Sequence, residues 1–343
     1  MDSDDIIDET NGRKLWELAR LSVPENLLGF VIKVHCPSAG ADGQFDVTAV
    51  DHCKLFRNRP DLRFDHRIHE QILGAINAVK GDVAFTDLFV VHAGADRTPE
   101  GLWRKLKRDM RLLKKDLREK PDHPFVLFNL GMTYADAHKH RKAIQALERS
   151  IEVASPNESH LRKAYALLVS SYVGANRPRE ARDACQRGRE LFPKDPELLF
   201  RQAILLHAAG KLAEAASAYL GALANEDQKH FSSIDVGIVG YKSRQNLTVV
   251  YTAMGDRDKA EEQWRLITQE VPAYREGWRG LGNSMLARGD HEAATTLARQ
   301  LTSHPSESWR TCRDDEADDT ASACFRMVGE RPGFDECSVQ SAK

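Results

Sequence analysis

No apolar run in this chain of 343 residues approaches the roughly 20 residues needed to cross a bilayer, which argues against a membrane span. No basic n-region followed by an apolar h-region opens the sequence, so no secretory signal is read. None of the six cysteines (Cys36, Cys53, Cys185, Cys312, Cys324, Cys337) stands in a CxxC pair, which disfavours a structural zinc finger. Scattered cysteines in a chain too long to need staples are expected to be reduced thiols of the cytoplasm. There is no large excess of one charge. A net charge of −2 makes the whole molecule no electrostatic magnet for nucleic acid or membrane. Apolar residues at 41% and charged residues at 29% describe a soluble chain able to bury two ordinary cores.

The chain changes character near residue 95. Before it, GFVIKVHC (29–36), QFDVTAVDHCKLFRN (44–58) and DVAFTDLFVVHAG (82–94) read as strands, with helices expected over 10–20 and 69–79. After it, almost everything reads as helix. The stretch 98–120 places apolar residues at 102, 106, 110, 113 and 117, one stripe along a helix, with Thr98 as cap and Pro99 in the first turn. Its other faces hold nine Lys/Arg against four Asp/Glu, and the stretch is read as a solvated helix joining two domains. Nucleic-acid binding would rest on this helix alone. Neither interleaved exposed aromatics nor overall positive charge supports it, so no nucleic-acid partner is expected.

A pattern of large and small residues then recurs. Leu130, Gly131, Tyr134 and Ala143 return as Leu168, Tyr172, Ala181 and Gly188, weakly as Ala203, Leu206, Ala215 and Ala222, again as Leu247, Tyr251, Ala260 and Trp264, and last as Trp278, Leu281, Gly282 and Ala294. Large residues at i, i+3 and i+7 form a buried stripe, and Gly or Ala lets a second helix approach. Copies begin near 124, 162, 196, 241 and 275. These residues resemble the tetratricopeptide repeat, whose period is about 34. The resemblance implies helical pairs that stack into a solenoid over 121–303. The longer third interval holds 225–243, read as an insertion loop plus a helix start. Residues 304–343 carry no helical stripe and are expected to form a disordered tail.

The first 97 residues carry the chemistry. MDSDD places Asp2, Asp4 and Asp5 before an amphipathic segment, and two carboxylates one residue apart can face one divalent cation. After them come CKLFRN, then RFDHRIHE, then VVHAGA. That order resembles the bacterial family-two glycosyltransferases with C-terminal tetratricopeptide repeats. The counterparts are Asp2 to Asp5 for an acidic turn, Lys54 to Asn58 for R-L-F-R-N, Phe64 to Glu70 for F-x-G-x-I-H-E, and Val91 to Ala95 for H-x-G-Y. The glycine of the third motif is read at Asp65 and the aromatic of the last at Ala95, both departures.

The resemblance implies an α/β partial GT-A domain with a Rossmann-like sheet over 1–97, followed by the all-α solenoid. It implies a nucleotide-sugar donor, Mg2+ or Mn2+, and inverting transfer to a protein, peptide or saccharide acceptor. Asp2, Asp4 and His92 would hold the metal, with Asp5 in support. Glu70 would be the general base with His69 beside it, and Arg57 and Arg67 would contact phosphate or acceptor. Read from the residues alone, Arg57 and Asn58 pin a turn, Glu70 is a helix-start acid, and His35, His52 and His66 are surface or packing residues. On this resemblance the nucleotide-binding half of such a domain is expected to be missing from the chain. The chain alone is therefore expected to transfer weakly or not at all. The alternative is a protein-interaction scaffold with an inert transferase remnant, in which Arg201, Arg244 and Asn246 present an inner groove and the repeats support a homodimer or a protein partner.

Overall fold

The computed structural model describes residues 4–38, 46–94, 98–225 and 232–303. The expected tail, Asp2 and Ala95 lie outside the described residues. Among the described residues, no helix is long and apolar enough to cross a membrane.

Three long strands, β2 (Leu27–Ser38), β3 (Asp46–Phe56) and β4 (Asp82–His92), carry the first region, with two short ones, β1 (Asp5–Ile6) and β5 (Ile234–Asp235). They form one sheet in the order β1-β4-β2-β3-β5. β2 runs parallel to β4, and the other three pairings are antiparallel. The sheet is therefore mixed, and these pairings do not by themselves give the GT-A, Rossmann-like domain that the resemblance implied. Seven residues, 39–45, separate β2 from β3. That is too short for the crossover a parallel pair needs.

Both faces of β2 are buried. Ile32 and Val34 pack with Leu88 and Val90 of β4 and with Leu15 and Leu18 of α1 (Glu9–Leu18). Leu28 packs with Leu62, Ile72 and Ile76 around α2 (Leu73–Ala78). Asp8 caps α1 by accepting the Asn11 amide at 2.7 Å. The side-chain Oδ1 of the buried Asn11 in turn accepts the Phe89 amide at 3.2 Å, which fixes α1 to β4. α2 is shorter than the helix expected over 69–79. Asp65 and Gln71 exchange backbone hydrogen bonds at 2.9 and 3.1 Å, and His69 sits at φ 57°, so the first residues of that run close a turn instead.

α3 (Pro99–Glu119) is capped by Thr98 as expected. It is more than a connector: Leu113 joins Val126, Leu130, Ala146 and Ile68 in one core. Ten helices follow as five pairs. α4 (Pro124–Asp136) and α5 (His140–Val153) form the first, α6 (Leu161–Gly174) and α7 (Pro178–Leu191) the second, α8 (Pro196–Ala208) and α9 (Leu212–Leu223) the third. α10 (Tyr241–Ala253) with α11 (Arg257–Glu270), and α12 (Arg275–Ala287) with α13 (His291–Ser303), complete them. The stretch read as an insertion contains β5 and a 3-10 turn, Val236–Val239, before α10.

The chain forms two compact units. The first takes in 1–202 and 225–236, and so unites the sheet, α3 and the leading helical pairs. The second takes in 203–224 and the residues from 237 on. In the second unit Leu281, Met285, Ala294, Leu297 and Ala298 form a core against Trp264 and Trp278. The boundary falls within α8 rather than between sheet and helices.

Candidate functional site

Pairing of β1 with β4 sets Asp5 opposite His92. His92 Nδ1 lies 3.0 Å from Asp5 Oδ1 and 3.5 Å from Asp4 Oδ1. One ligand atom from each of the three residues lies within 4.8 Å of the others. Two expected metal residues, Asp4 and His92, are thus brought together, with Asp5 as the third. The Asp5 side chain is fully buried, and its other oxygen holds the Lys54 ammonium at 2.8 Å. Two carboxylates and an imidazole suit Mn2+ by donor chemistry. Lys54 already balances one of the two charges, which leaves Asp4 and His92 as the open ligands. Burial pushes the neighbouring Cys36 thiol up.

The other expected residues lie elsewhere. Arg57 donates from Nε to the Leu27 carbonyl at 3.0 Å and from Nη2 to the carbonyls of Val23 and Pro24, both at 3.1 Å. It pins the turn that enters β2. Arg67 pairs with Asp116 and Glu119 of α3, and its amide donates to Asp116 Oδ2 at 3.1 Å. That side chain clamps the 65–71 loop to α3, and Ile68 inserts beside it. Burial holds His69 below the usual histidine range, next to Asp109, Lys105 and Glu70. Glu70 is exposed and shares no hydrogen bond or ion pair with Asp4, Asp5 or His92 among the described residues. The left-handed residue early in this segment is His66, at φ 71°. It is also the third residue of Phe64 to Glu70, so the glycine of the motif falls on His66 and not on Asp65. His35 is a packing residue, stacked on Phe89 with centroids 5.0 Å apart.

Sequence reasoning missed a buried ionic network on the leading helical pairs. Arg162 at the start of α6 meets Asp195 at 3.0 Å and Glu197 of α8 at 3.4 Å. Lys163 meets Glu197 at 2.9 Å. Arg162 also donates to Ser232 Oγ at 2.9 Å and to the Ser233 carbonyl at 3.0 Å, so the segment leading into β5 lies over the network. Burial pushes Glu197 upward, but Lys163, Arg162 and Arg201 outweigh it and hold the carboxyl at about 2. The signal was present in the sequence: a cation pair at the first positions of one helical pair, and acids about one period later. Of the proposed groove residues, Arg201 leans on Glu197, Arg244 on Glu270, and Asn246 on the Lys242 carbonyl.

The five pairs share one device. His138, Asn176, Gly210, Gly255 and Gly289 are all left-handed, at φ between 52° and 79°. Each is followed by an amide that reaches back to a carbonyl five residues earlier, as from Arg177 to Tyr172 at 2.9 Å and from Asp256 to Tyr251 at 2.9 Å. This is the Schellman closure of a helix, repeated between the two members of every pair. The tetratricopeptide-repeat family model matches residues 166–229. That match takes in most of α6 and all of α7, α8 and α9. Human tetratricopeptide repeat protein 7B is 25% identical over 169 residues, 48% of this chain and 19% of that protein. The chain thus spans about a fifth of the curated relative it matches. Among solved structures, the APC/C hetero-tetramer Cut9-Hcn1 is 14% identical at TM-score 0.48, covering 66% of this chain and 40% of that one. A thermophilic repeat protein of Thermus thermophilus is 18% identical at TM-score 0.41, covering 54% and 94%.

One helix outside the repeats presents a free charged face. Arg111, Lys114, Lys115 and Arg118 of α3 are exposed, and none has an ion-pair partner among the described residues. With Leu112 they line one shallow surface groove. The opposite side of α3 is the buried one that carries Leu113.

Proposed function

We infer that this chain is a protein-binding scaffold that takes an acidic segment of a partner on the outer face of α3. The repeats support the scaffold role, because stacked helical pairs hold a surface rigid without forming a closed pocket. The observation that carries the choice of surface is the row of four unpaired cations beside Leu112. By contrast, Arg162, Lys163 and Arg244 of the helical pairs all have carboxylate partners. A fluorescein-labelled peptide of alternating Glu and Leu should bind saturably in an anisotropy titration and weaken steadily with salt. The charge reversals Arg111→Glu and Lys115→Glu together should weaken it more than about tenfold. Absence of saturable binding would remove the reading. So would tighter binding of an oligothymidine of matched charge.

A second reading keeps residues 1–97 as part of a metal-dependent glycosyltransferase. The convergence of Asp4, Asp5 and His92 favours it. Asp4 and His92, with Asp5 behind them, would hold Mn2+, and that ion would neutralise a nucleotide diphosphate. Glu70 would serve an acceptor from a separate loop, and Arg57 and Arg67 would act through the loops they pin. Because the chain alone is expected to transfer weakly or not at all, the test is the metal: in a calorimetric titration this reading expects Mn2+ binding that disappears in Asp4→Asn. No Mn2+ binding, or binding unchanged in Asp4→Asn, counts against it.

A further inference from the structure

A second cluster of ligand-type side chains lies on the other side of the 65–71 loop, away from Asp4 and His92. Asp65, His66 and His123 each offer one donor atom, and these atoms lie within 4.8 Å of one another. Two structural elements supply them. Asp65 and His66 open the loop, and His123 is the residue before α4. The two rings meet edge to face with centroids 4.8 Å apart.

Three features go beyond proximity. His66 holds a left-handed backbone, at φ 71°, which a β-carbon disfavours. Its amide donates to Asp65 Oδ1 at 3.0 Å, so the carboxylate and the strained imidazole are fixed as a unit. The His66 side chain is only 7% exposed. His123 Nδ1 is buried and has no hydrogen-bond partner. A buried ring nitrogen left unpaired is the kind of polar atom native folds normally satisfy.

We propose that Asp65, His66 and His123 bind one divalent transition-metal ion of the Zn2+ class. Two imidazoles and one carboxylate form a donor set that Zn2+ accepts and that Mg2+, which prefers oxygen, does not. Asp65 carries the Lys120 ammonium at 3.0 Å, and the ion replaces it as counter-charge. Lys120 is about half exposed, so its release into water is cheap. Asp65 and His66 also line a cleft with Arg67, Asp116, Glu119 and Lys120, from which water would supply a further ligand. Because His123 immediately precedes α4 and Asp65 belongs to the loop of the sheet region, the ion ties the sheet region to the first helical pair.

Cobalt(II) is the probe. Metal-free full-length protein titrated with CoCl2 should develop one visible d–d band of low coordination number, and an equivalent of ZnCl2 should abolish it. His66→Asn keeps a residue that tolerates the left-handed backbone, and His123→Gln keeps the volume. Each should weaken Co2+ binding more than about tenfold, whereas His92→Gln should leave the band intact. No band in the wild-type chain overturns the proposal, whatever the variants do to folding. A band that persists in both histidine variants, or that vanishes in His92→Gln, overturns it too.

Discussion

Replacing Arg162 by methionine should cost the first unit about 3–5 kcal/mol of stability. The side chain is 6% exposed, and its partners Asp195 and Glu197 are each 1% exposed. Removing the guanidinium leaves two buried carboxylates: Glu197 keeps Lys163 and the more distant Arg201, while Asp195 loses its ion pair with Arg162. The same change unties Ser232 and Ser233, which Arg162 holds through four donor contacts. Urea unfolding should report the loss of stability, and hydrogen exchange should show the Ser233–Val236 amides losing protection. Arg149→Met is the internal control. Arg149 also contacts two carboxylates, Asp122 and Glu152, but all three side chains are well exposed. Its loss should cost no more than about 1 kcal/mol. Equal effects at the two arginines would mean that burial is not what gives the network its weight.

Leu147→Ala should cost about 2–5 kcal/mol, and Gly131→Ala about 1–3 kcal/mol. Leu147 of α5 is fully buried and packs onto the face of α4 where Gly131 has no side chain. A β-carbon at Gly131 would stand 2.6 Å from Leu147 Cγ and 3.3 Å from the Leu147 backbone nitrogen. One change opens a cavity and the other overfills the same place. The double variant should therefore be more stable than the sum of the two losses implies, by about 0.5–3 kcal/mol. Strict additivity in urea unfolding would show that α4 and α5 can slide apart, contrary to the close approach that Gly131 provides.

The helical half was open to sequence reading because its constraint is periodic. Starts expected near 124, 162, 196, 241 and 275 compare with helices beginning at 124, 161, 196, 241 and 275. The second helix of every pair carries alanine at the same crossing, as Ala143, Ala181, Ala215, Ala260 and Ala294. The strands were equally open, since β-branched runs such as GFVIKVHC leave few alternatives. What stayed hidden depends on partners distant in sequence. HEQILGAINAV has helical spacing, but the Asp65–Gln71 bridge and left-handed His69 consume its first turn. Arg67 looks like a phosphate ligand until α3 supplies Asp116 and Glu119. His123 carried no motif at all. It gains meaning only when a loop some sixty positions earlier folds against it. Asp4, Asp5 and His92 were the exception, because a family pattern paired them in advance.

β5 gives the first unit an order of assembly. Thr48 and Ala49 on the outer side of β3 find their pairing partners in Ile234 and Asp235, which a ribosome delivers only after the first three helical pairs. Until then that rim of the sheet is bare, and bare rims invite pairing with other chains. Nascent chains halted before residue 232 should accordingly need chaperone protection that longer ones shed.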